Sequence, residues 1–548
     1  MNSAYRPVIF TQSGPYQGGA LVGTHSACIG WSFDDPALRD GLLGFAIRRT
    51  DLDPATGEIL RLDWLGGYKQ FKETDSGKTE DVRSLEAPFQ RFRWSDYSLK
   101  SSRSYVYEVF PMRGSPEALT RDEPPLRFEL RPSQENQNGL GVYVNRGVTS
   151  AKAYLSRFRY QHPKEIGPTA YSWLSRGLKE SLLRLINETR PGEELHIAIY
   201  EFFDEEIAKT LQDALGRNVA LHIVHDAKPG KKSTLKNEVV IKKFGLEDHR
   251  TKRTTVNISH NKIVIRLVNG APQVVWTGSA NFSENAFNFQ TNTALVIRDP
   301  ATVGFYEDYF QRLKADPPKA QSKIDNRLLM DQANQFVPRF AEKTFFSPIK
   351  KKEILETSVE LIKSAESIVM VSAPFGVDRS MIEALGSNTE DIIEYGLVNS
   401  AARKKIKGLF RKNTRFFPPN RMRTFLGRTW DSKAFGGHKI HAKTIVVDPW
   451  GNDPKVLIGS ANFSKASCSD NDENALLVIG NQRLSSIIAT EFLRIYDHYK
   501  ARYYIDENEK KGRKTPRYLK SDKSWSKTAF DPNTTSHKYQ DRIVFSGG

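Results

Sequence analysis

The hexapeptide Gly-Ser-Ala-Asn-Phe-Ser occurs twice in the chain, at residues 278–283 and at residues 459–464. A His-x-Lys triplet stands eighteen residues before each glycine, at His260 and Lys262 and at His441 and Lys443. An apolar run begins sixteen residues after each glycine, at residues 294–297 and 475–478. The offset between the copies is 181 residues throughout, so the sequence predicts an internal duplication with two half-sites.

These residue types suit the chemistry of a phosphodiester. In an extended strand alternate side chains share a face, so the histidine and lysine of each triplet point the same way. Brought together with Asn281 and Asn462, the triplets present two imidazoles, two ammonium groups and two amides to one volume. Cations and amides can hold the non-bridging oxygens while an imidazole attacks phosphorus. The lysines supply the charge that Mg²⁺ supplies elsewhere, so neither a metal nor another cofactor is predicted.

The two motifs resemble those of the phospholipase D superfamily, whose signature is His-x-Lys-x4-Asp followed by Gly-Ser-x-Asn, twice per active site. The second copy is complete, with His441, Lys443, Asp448, Gly459, Ser460 and Asn462. The first copy has His260, Lys262, Gly278, Ser279 and Asn281, but Leu267 stands where the aspartate is expected. The resemblance spans about residues 148–500 and implies a phosphodiesterase.

The resemblance also implies roles for the two histidines. His260 would be the nucleophile that forms a phosphohistidine, and His441 would protonate the leaving oxygen and then activate water; the reverse assignment stays open. One imidazole must be neutral and the other protonated, so the reference pKa near 6.5 predicts a bell-shaped pH profile. The family places a further acid after each hexapeptide, and Glu473 is the only carboxylate at the aligned positions, since the first half has Asn292. Glu473 would orient the histidine of its own half or of the other.

The missing aspartate bears on activity. Strict alternation places Leu267 and Asp448 on the strand face opposite the catalytic pair. The absence of an aspartate at position 267 is therefore expected to remove a structural hydrogen bond rather than a phosphate contact. The alternative is that the first half is degenerate and the protein inactive.

The elements around the motifs fall into several regions. Residues 1–132 carry short apolar runs separated by turns, which predicts an all-β sandwich. Trp31 and the spacing of Leu99 and Tyr105 resemble a fibronectin type III-like domain with its tyrosine corner. Residues 133–147 are polar and are predicted to be a linker.

Strands and helices alternate from residue 148 onward, which predicts an α/β fold of two repeated α/β/α halves forming one catalytic unit. The boundaries are 148–335 for the first half and 345–505 for the second. Both half-sites lie in one chain, so catalysis should not require a dimer. The basic and aromatic tail, 506–548, is interpreted as a strap packed on the catalytic domain or as a lid.

The amino-acid composition limits which partners and which cellular compartment are expected. The 548 residues include 81 Lys and Arg against 64 Asp and Glu, a net charge of +17. Residues 1–147 hold 18 basic and 19 acidic residues, so the whole surplus lies in the later part. Two cysteines exclude a disulfide scaffold. Neither a signal peptide nor a long apolar run is evident, and a cytoplasmic protein is expected.

The basic surplus is concentrated just ahead of each catalytic histidine, in residues 228–253 and 401–430. In the second segment, interleaved cations and aromatics are what a nucleic-acid groove requires. The substrate-binding candidates are Arg403, Lys404, Lys405, Arg411, Lys412, Arg415, Phe416 and Phe417. His222, His225 and Asp226 could hint at a metal, but ordinary packing is favoured for them, as it is for His438.

Three functions are therefore considered. A metal-independent nuclease acting on DNA or RNA is preferred, because the segments near the site are cationic. A phospholipase D acting on phospholipid head groups is the alternative, and its basic, aromatic loops would dock on an anionic membrane. The third is a catalytically degenerate binding protein. The partner of the N-terminal domain is not predicted.

Overall fold

The computed structural model describes residues 5–77, 81–148, 152–159, 161–335, 341–399, 411–419, 424–425, 428–429, 439–512 and 518–547. It contains an N-terminal all-β module and two α/β repeats. The expected fold class is therefore confirmed. None of the helices in these ranges has a stretch long and apolar enough to cross a bilayer.

The N-terminal module consists of two antiparallel sheets whose facing aromatic side chains form its core. One sheet has the order Val8–Ser13, Tyr16–Val22, Ala27–Phe33, Arg93–Asp96. The other has the order Ala118–Arg121, Ser104–Ser115, Leu42–Leu52, Ile59–Trp64, with Leu126–Leu130 also pairing Ser104–Ser115. A two-stranded ribbon joins Gly66–Gly67 and Val82–Arg83. Trp31 is buried in this core, and the Tyr105 hydroxyl accepts a hydrogen bond from the backbone N–H of Lys100 at 2.8 Å. The likeness to a fibronectin type III domain stays a prediction.

The predicted linker 133–147 is wrong for part of its length. Its residues form two strands, Asn136–Gln137 and Leu140–Val144, and the second pairs antiparallel with Thr293–Ile297 of the first half. Leu140 and Val142 are buried against the first-half core. The segment is therefore an edge of the catalytic sheet, and its polar composition reflects an edge position.

Each half contains a mixed sheet with helices on its faces. The first has the order Asn136–Gln137, Leu140–Val144, Thr293–Ile297, Ala271–Gly278, Lys262–Val268, Glu194–Ile199, Ala220–Asp226, Arg250–Arg253. The second has the order Ile258–Ser259, Asn471–Ile479, Lys455–Gly459, Lys443–Val447, Ile368–Ser372, Ile393–Leu397, Thr414–Phe417, with Lys343–Ser347 on Asn471–Ile479. Two short pairs remain, Gln290–Thr291 with Lys439–Ile440 and Thr424–Phe425 with Arg428–Thr429.

The helices follow the periodic segments of the sequence. In and before the first half they are Lys152–Phe158, Pro163–Ile166, Pro168–Ser175, Leu178–Glu188, Glu205–Gly216, Lys232–Lys243, Glu284–Asn288, Pro300–Lys314 and Lys319–Ala333. In the second half and tail they are Glu353–Lys363, Arg379–Ser387, Lys465–Ser469, Gln482–Lys510, Lys527–Phe530 and Lys538–Ser546. Single 3₁₀ turns occur at Pro36–Arg39, Glu247–His249 and Lys523–Ser526.

The two halves exchange short strands with each other. Ile258–Ser259, which leads into the first triplet, pairs parallel with Asn471 and Asp472 of the second half. Gln290–Thr291 of the first half pairs parallel with Lys439–Ile440, which leads into the second triplet. Each catalytic histidine therefore stands on a backbone segment that is hydrogen-bonded to the opposite half.

The C-terminal segment returns to the N-terminal module. Trp525 stacks on Phe92 with ring centroids 5.3 Å apart, and Phe530 lies 4.8 Å from Phe33. Phe545 is fully buried and contacts Trp450 of the second half at 5.0 Å. The tail is thus neither a strap confined to the catalytic domain nor a lid. Its aromatic side chains complete the sandwich core and fasten it to the second half.

A buried carboxylate joins the three regions. Glu491, on the helix Gln482–Lys510, contacts Arg176 at 2.5 Å and Arg494 at 2.7 Å, and it accepts a hydrogen bond from Ser26 at 3.0 Å. Burial opposes ionisation, but the two guanidinium groups outweigh it and hold the pKa of Glu491 well below its usual range. The ionised group therefore stabilises the fold above the pKa of an unfolded glutamate, and this contribution is lost as the pH falls toward the folded pKa.

We expect Glu491→Gln to lower the free energy of unfolding at pH 7 by about 3 to 5 kcal/mol, because two buried guanidinium groups lose their counter-charge. Chemical denaturation followed by tryptophan fluorescence measures this. The matched control is Glu383→Gln, which breaks an ion pair with Arg379 whose side chains are 63% and 91% exposed and should cost less than about 1 kcal/mol. Equal losses in the two variants would contradict the role given to Glu491.

Candidate active site

The strand exchange brings both triplets to one buried site. His260 and His441 are each 6% exposed, and Lys262 and Lys443 are almost fully buried. The backbone N–H of His260 donates to the carbonyl of Asp472 at 2.9 Å, and that of His441 donates to Thr291 at 3.0 Å. The residue that follows each acceptor, Glu473 or Asn292, is thereby placed beside the histidine of the other half.

His260 has a carboxylate partner. Its Nδ1 lies 2.7 Å from Oε2 of Glu473, which also accepts a hydrogen bond from the Ser460 hydroxyl at 2.8 Å. Glu473 is completely buried, and burial raises the pKa of its carboxyl to about 7. The open question of which histidine Glu473 contacts is thus answered: it contacts that of the other half.

His441 has an amide partner. Its Nδ1 lies 2.9 Å from Oδ1 of Asn292, and the same oxygen accepts a hydrogen bond from the Ser279 hydroxyl at 2.8 Å. The two arrangements are equivalent in position and differ in charge. Ser279 and Ser460 therefore orient the partners of the histidines, and both histidine Nδ1 atoms are engaged. Nε2 of His441 lies 3.3 Å from Nζ of Lys443, so a substrate at this nitrogen would also meet the lysine.

The two lysines carry the positive charge of the site. The ammonium groups of Lys262 and Lys443 donate to the backbone carbonyls of His260 and His441, the second at 2.7 Å. Burial lowers the pKa of Lys262 to about 7, and burial together with Lys262 holds that of Lys443 well below its ordinary value. A bound anion would restore the charge of both lysines.

The environment of the histidines favours their neutral form. Burial, followed by the charges of Lys262 and Lys443, holds the pKa of His260 well below its usual value. Burial and the same two lysines do so for His441. A neutral imidazole whose Nδ1–H faces Glu473 has its lone pair on Nε2, the form that a nucleophile requires.

The amides complete the polar surface, and a carboxylate joins them. Asn281 donates through Nδ2 to Oε2 of Glu201 at 2.6 Å, and Asn462 occupies the repeated position in the second half. Sequence reasoning missed Glu201. Its signal is weak, because it lies just beyond the end of the strand Glu194–Ile199 in a segment without a motif.

Two aromatic rings flank the histidines and were also missed. Tyr200 lies 5.2 Å from His260 between ring centroids, and Phe375 lies 6.1 Å from His441. Phe375 is 56% exposed, so part of its ring is accessible from solvent. Both rings follow the ends of the paired strands that border the triplets, so the strand ends position them.

Asp448 faces away from the site, as alternation predicts. Its carboxylate accepts hydrogen bonds of 2.8 to 2.9 Å from the backbone N–H groups of residues 366–368 and from the Ser367 hydroxyl. In the first half Leu267 is buried, and Glu193 there accepts from the backbone of Arg190 and from Arg266. Asp448 thus anchors a strand, and its place among catalytic candidates is corrected.

The predicted basic groove differs from the structure. Arg403, Lys404 and Lys405 lie outside the described residues. Phe416 and Phe417 are fully buried in the strand Thr414–Phe417, so they offer no stacking surface and that prediction is wrong.

The cations of this strand and its approach contact the protein itself. Arg411 donates to the carbonyl of Gly386, Lys412 to Glu390 and to the carbonyl of Pro532, and Arg415 to that of Thr414.

The basic segment before His260 divides into two parts. Arg253 is buried and pairs with Asp472 of the other half at 2.9 Å, while Lys243 and Lys252 pair with Glu205 and Glu238. In the first turns of the helix Lys232–Lys243, Lys232 and Lys236 are exposed, and Nζ of Lys236 lies 5.1 Å from the centroid of the Phe203 ring.

The helix Lys232–Lys243 is fixed against the site. Asn237 donates to the carbonyl of Tyr200 at 2.9 Å and accepts from the N–H of Phe202 at 2.8 Å. The helix is therefore fixed to the segment 200–202, which carries Tyr200 and Glu201 of the site.

A family described as "Cardiolipin synthase, PLD-like domain" matches residues 182–314 and 358–496, one segment in each half. No curated protein sequence matches the chain.

Several solved structures resemble parts of the chain. Phosphatidylserine synthase of Haemophilus influenzae is 12% identical over 62% of this chain and 92% of that one, with a TM-score of 0.42. Nuc, a phospholipase D family member of Salmonella typhimurium, is 24% identical over 25% of this chain and 87% of that one, with a TM-score of 0.21. Polyphosphate kinase of Porphyromonas gingivalis is 14% identical over 62% of this chain, with a TM-score of 0.37, and this chain spans only 47% of its length.

We expect Asp448→Asn to destabilise the protein by about 2 to 4 kcal/mol, because an amide offers one acceptor oxygen where the carboxylate offers two to buried N–H groups. At a temperature where the variant stays folded, kcat should change by less than about threefold, because Asp448 does not face the site. Thermal unfolding and steady-state kinetics measure the two effects. Asp453→Asn, at an exposed position, is the control, and a large fall in kcat without destabilisation would contradict the anchoring role.

Proposed function

The chain is a member of the phospholipase D superfamily of phosphodiesterases, and we propose that it hydrolyses nucleic acid through a phosphohistidine formed on His260. The observation that carries the assignment is the unequal pair of partners, with Glu473 on His260 and Asn292 on His441. When Nε2 of His260 bonds to phosphorus, the ring becomes positively charged. A buried carboxylate at Nδ1 stabilises that charge, whereas an amide cannot do so to the same extent.

The amide suits the second role. A general acid must give up its proton readily, and a neutral partner leaves the imidazolium of His441 more acidic than a carboxylate would. Asn292 still fixes the ring so that Nε2 faces the leaving oxygen. The two halves thus supply one imidazole suited to holding phosphorus and one suited to moving a proton.

The proposed reaction has two balanced steps. The bound phosphodiester offsets the lysine charges that favour neutral His441, so Nε2 of His441 carries a proton in the complex. Nε2 of His260 attacks phosphorus, the bond to the leaving oxygen breaks, and that oxygen takes the proton from Nε2 of His441. Water then attacks phosphorus from the side that the leaving group vacated and gives a proton to His441 as the phosphorus–nitrogen bond breaks. His260 returns to its neutral form, and a phosphate monoester is released.

The lysines and asparagines serve the non-bridging oxygens. Lys262 and Lys443 are both held at a depressed pKa until an anion arrives, so a phosphodiester is bound more strongly in the transition state as charge on its oxygens grows. Asn281 and Asn462 add amide donors. Glu201 holds the Asn281 amide and is thereby a positioning residue.

Nucleic acid is the proposed substrate because an exposed ring, Phe375, and a half-buried ring, Tyr200, lie beside the histidines, and a neighbouring helix carries exposed cations. Phe375 and Tyr200 offer ring faces beside the two histidines, and bases stack on such faces without sequence preference. Lys232 and Lys236 on the neighbouring helix are exposed and suit backbone phosphates. A strand with unpaired bases fits this combination, since a base must leave its stack to reach a ring.

One experiment tests the proposed reaction and the proposed substrate class independently. The full chain in EDTA is given bis(p-nitrophenyl) phosphate, single- and double-stranded DNA and RNA labelled at one end, and phosphatidylcholine vesicles. We expect cleavage of the small diester and of single strands, and a loss of at least about a thousandfold in His260→Ala. Lys232→Ala with Lys236→Ala should raise KM for nucleic acid and leave the small diester unaffected.

The nucleophile is identified in the same assay. The nitrophenolate group leaves without a proton, so His441→Ala should release one equivalent per chain and then stall with the p-nitrophenyl phosphoryl group attached to His260. His260→Ala should show no such burst. A burst in His260→Ala alone would reverse the roles, and cleavage of vesicles without nucleic acid would contradict the substrate class.

The pKa of Lys262 predicts that activity declines on the alkaline side of about pH 7. Since the pKa of Lys262 is about 7 in the free protein, kcat/KM should fall as the pH rises above about 7, because the neutral amine no longer attracts the phosphate. Initial rates with bis(p-nitrophenyl) phosphate from pH 5 to pH 9 measure it. A profile that stays flat to pH 9 would contradict this electrostatic account.

A further inference from the structure

A second cluster of ligand-type side chains lies outside the active site. Glu194 and His196 occupy the beginning of the strand Glu194–Ile199, and His222 lies on the adjacent parallel strand in register with His196. One nitrogen or oxygen atom from each residue lies within 4.8 Å of the other two. The cluster faces the helix Pro300–Lys314, and the function proposed above does not use it.

His196 is held in the orientation of a metal ligand. It is 3% exposed, its Nδ1 lies 2.8 Å from both carboxylate oxygens of Glu307, and its ring stacks on Phe310 at 4.7 Å. Its Nε2 is buried, makes no hydrogen bond within the described ranges, and faces Glu194 Oε2 at 3.4 Å. A histidine that binds a metal through one ring nitrogen usually donates the N–H of the other nitrogen to a carboxylate. His196, with Glu307 at Nδ1 and no hydrogen bond at Nε2 within the described ranges, has this arrangement.

The duplicated half shows that the fold does not need these polar groups. The strand Ile368–Ser372 occupies the same place beside the second triplet as Glu194–Ile199 beside the first. At the corresponding positions stand Ile368, Met370 and, in register with Met370, Tyr395, all buried. In the second half this part of the sheet holds two apolar side chains and a tyrosine whose hydroxyl donates to Asp541. None of the three is a carboxylate or an imidazole, so the Glu-His-His trio of the first half is not required by the fold.

We propose that Glu194, His196 and His222 bind a zinc ion on this face of the first sheet. Zinc takes imidazole nitrogen and carboxylate oxygen at about 2.0 to 2.2 Å, which places tetrahedral ligand atoms about 3.3 Å apart. Glu194 Oε2 lies 3.4 Å from Nε2 of His196 and 3.8 Å from Nε2 of His222, so small rotations complete the set. The side chains of Glu194 and His222 are 33% and 37% exposed, which leaves the fourth position to water.

Lys314 limits the affinity of the site. Its Nζ lies 3.2 Å from Nδ1 of His222. When Nε2 of His222 binds a cation, Nδ1 carries the ring proton, and the ammonium group must turn away toward solvent. Removing this charge should therefore strengthen binding, an effect that a purely structural cluster would not show.

The ion would tie the sheet to a helix rather than take part in the phosphodiester reaction. His196 lies three residues before Ile199, whose register partner is Lys262, a separation of roughly 10 Å along the strand. Through His196 and Glu307, zinc would link the beginning of this strand to the helix Pro300–Lys314. The expected gain is in stability of the first half.

Cobalt(II) serves as the spectroscopic probe for the test. The full chain is freed of metal with a chelator, dialysed and titrated with Co²⁺, and the visible absorption of a four-coordinate ion is followed, with Zn²⁺ displacement afterward. We expect one ion per chain. Glu194→Gln and His222→Tyr should each weaken binding at least about tenfold, and Lys314→Met should tighten it several-fold.

Controls exclude other histidines and loss of folding. His249→Tyr and His441→Ala should bind like the unmodified chain, and loss of the signal in His441→Ala would place the ion at the active site and overturn the proposal. The triple variant Glu194→Ile, His196→Met and His222→Tyr copies the second half and should stay folded by circular dichroism while binding no cobalt. Undiminished binding in that variant, or no four-coordinate spectrum in the unmodified chain, would also overturn it.

Discussion

The reciprocal pairing of short strands between the halves is the constraint on which the rest of the site depends. The backbone of His260 is hydrogen-bonded to Asp472, and that of His441 to Thr291, so each histidine is positioned by the opposite half as well as by its own. The same pairing places Glu473 and Asn292 at ring nitrogens of the opposite half, and Arg253 reinforces it by pairing with Asp472 in the interior. Arg253 and Asp472 can both be buried as ions because each neutralises the charge of the other across the boundary between the halves.

The strand exchange between the halves also accounts for the different roles that two similar copies of the motif take in the proposed reaction. The two copies of the motif match almost residue for residue, and the main polar difference at the histidines is a carboxylate against an amide. Because each partner acts on the other half, a change in one copy alters the histidine of the second. In the proposed mechanism, the low dielectric of the site strengthens the effect of this one unit of charge enough to give the two histidines different roles.

The exact repeat made the half-sites, the paired histidines and the α/β architecture predictable. The alternation of side chains along a strand correctly predicted that Asp448 faces away from the site. The cross-half contact of Glu473 could not be predicted, because local patterns hold no information on which strands exchange over about two hundred residues. Phe416 and Phe417 were misread because aromatics between cations look alike in a groove and in a buried strand. Residues 136–144 were misread as a linker because an edge strand can be short and polar. Tyr200, Glu201 and Phe375 carry no motif, and only the ends of the strands bring them to the histidines.

The aromatic side chains of the C-terminal segment give the N-terminal module a dependence on the end of the chain. Trp525 and Phe530 lie in the core formed by Phe33, Phe45 and Phe92. At ordinary rates of translation, roughly 5 to 20 residues per second, about 400 residues separate the two contributions by some 20 to 80 seconds. During that interval the N-terminal module has an incomplete apolar core. Final packing of the N-terminal module must therefore wait until residues 525–545 have been synthesised.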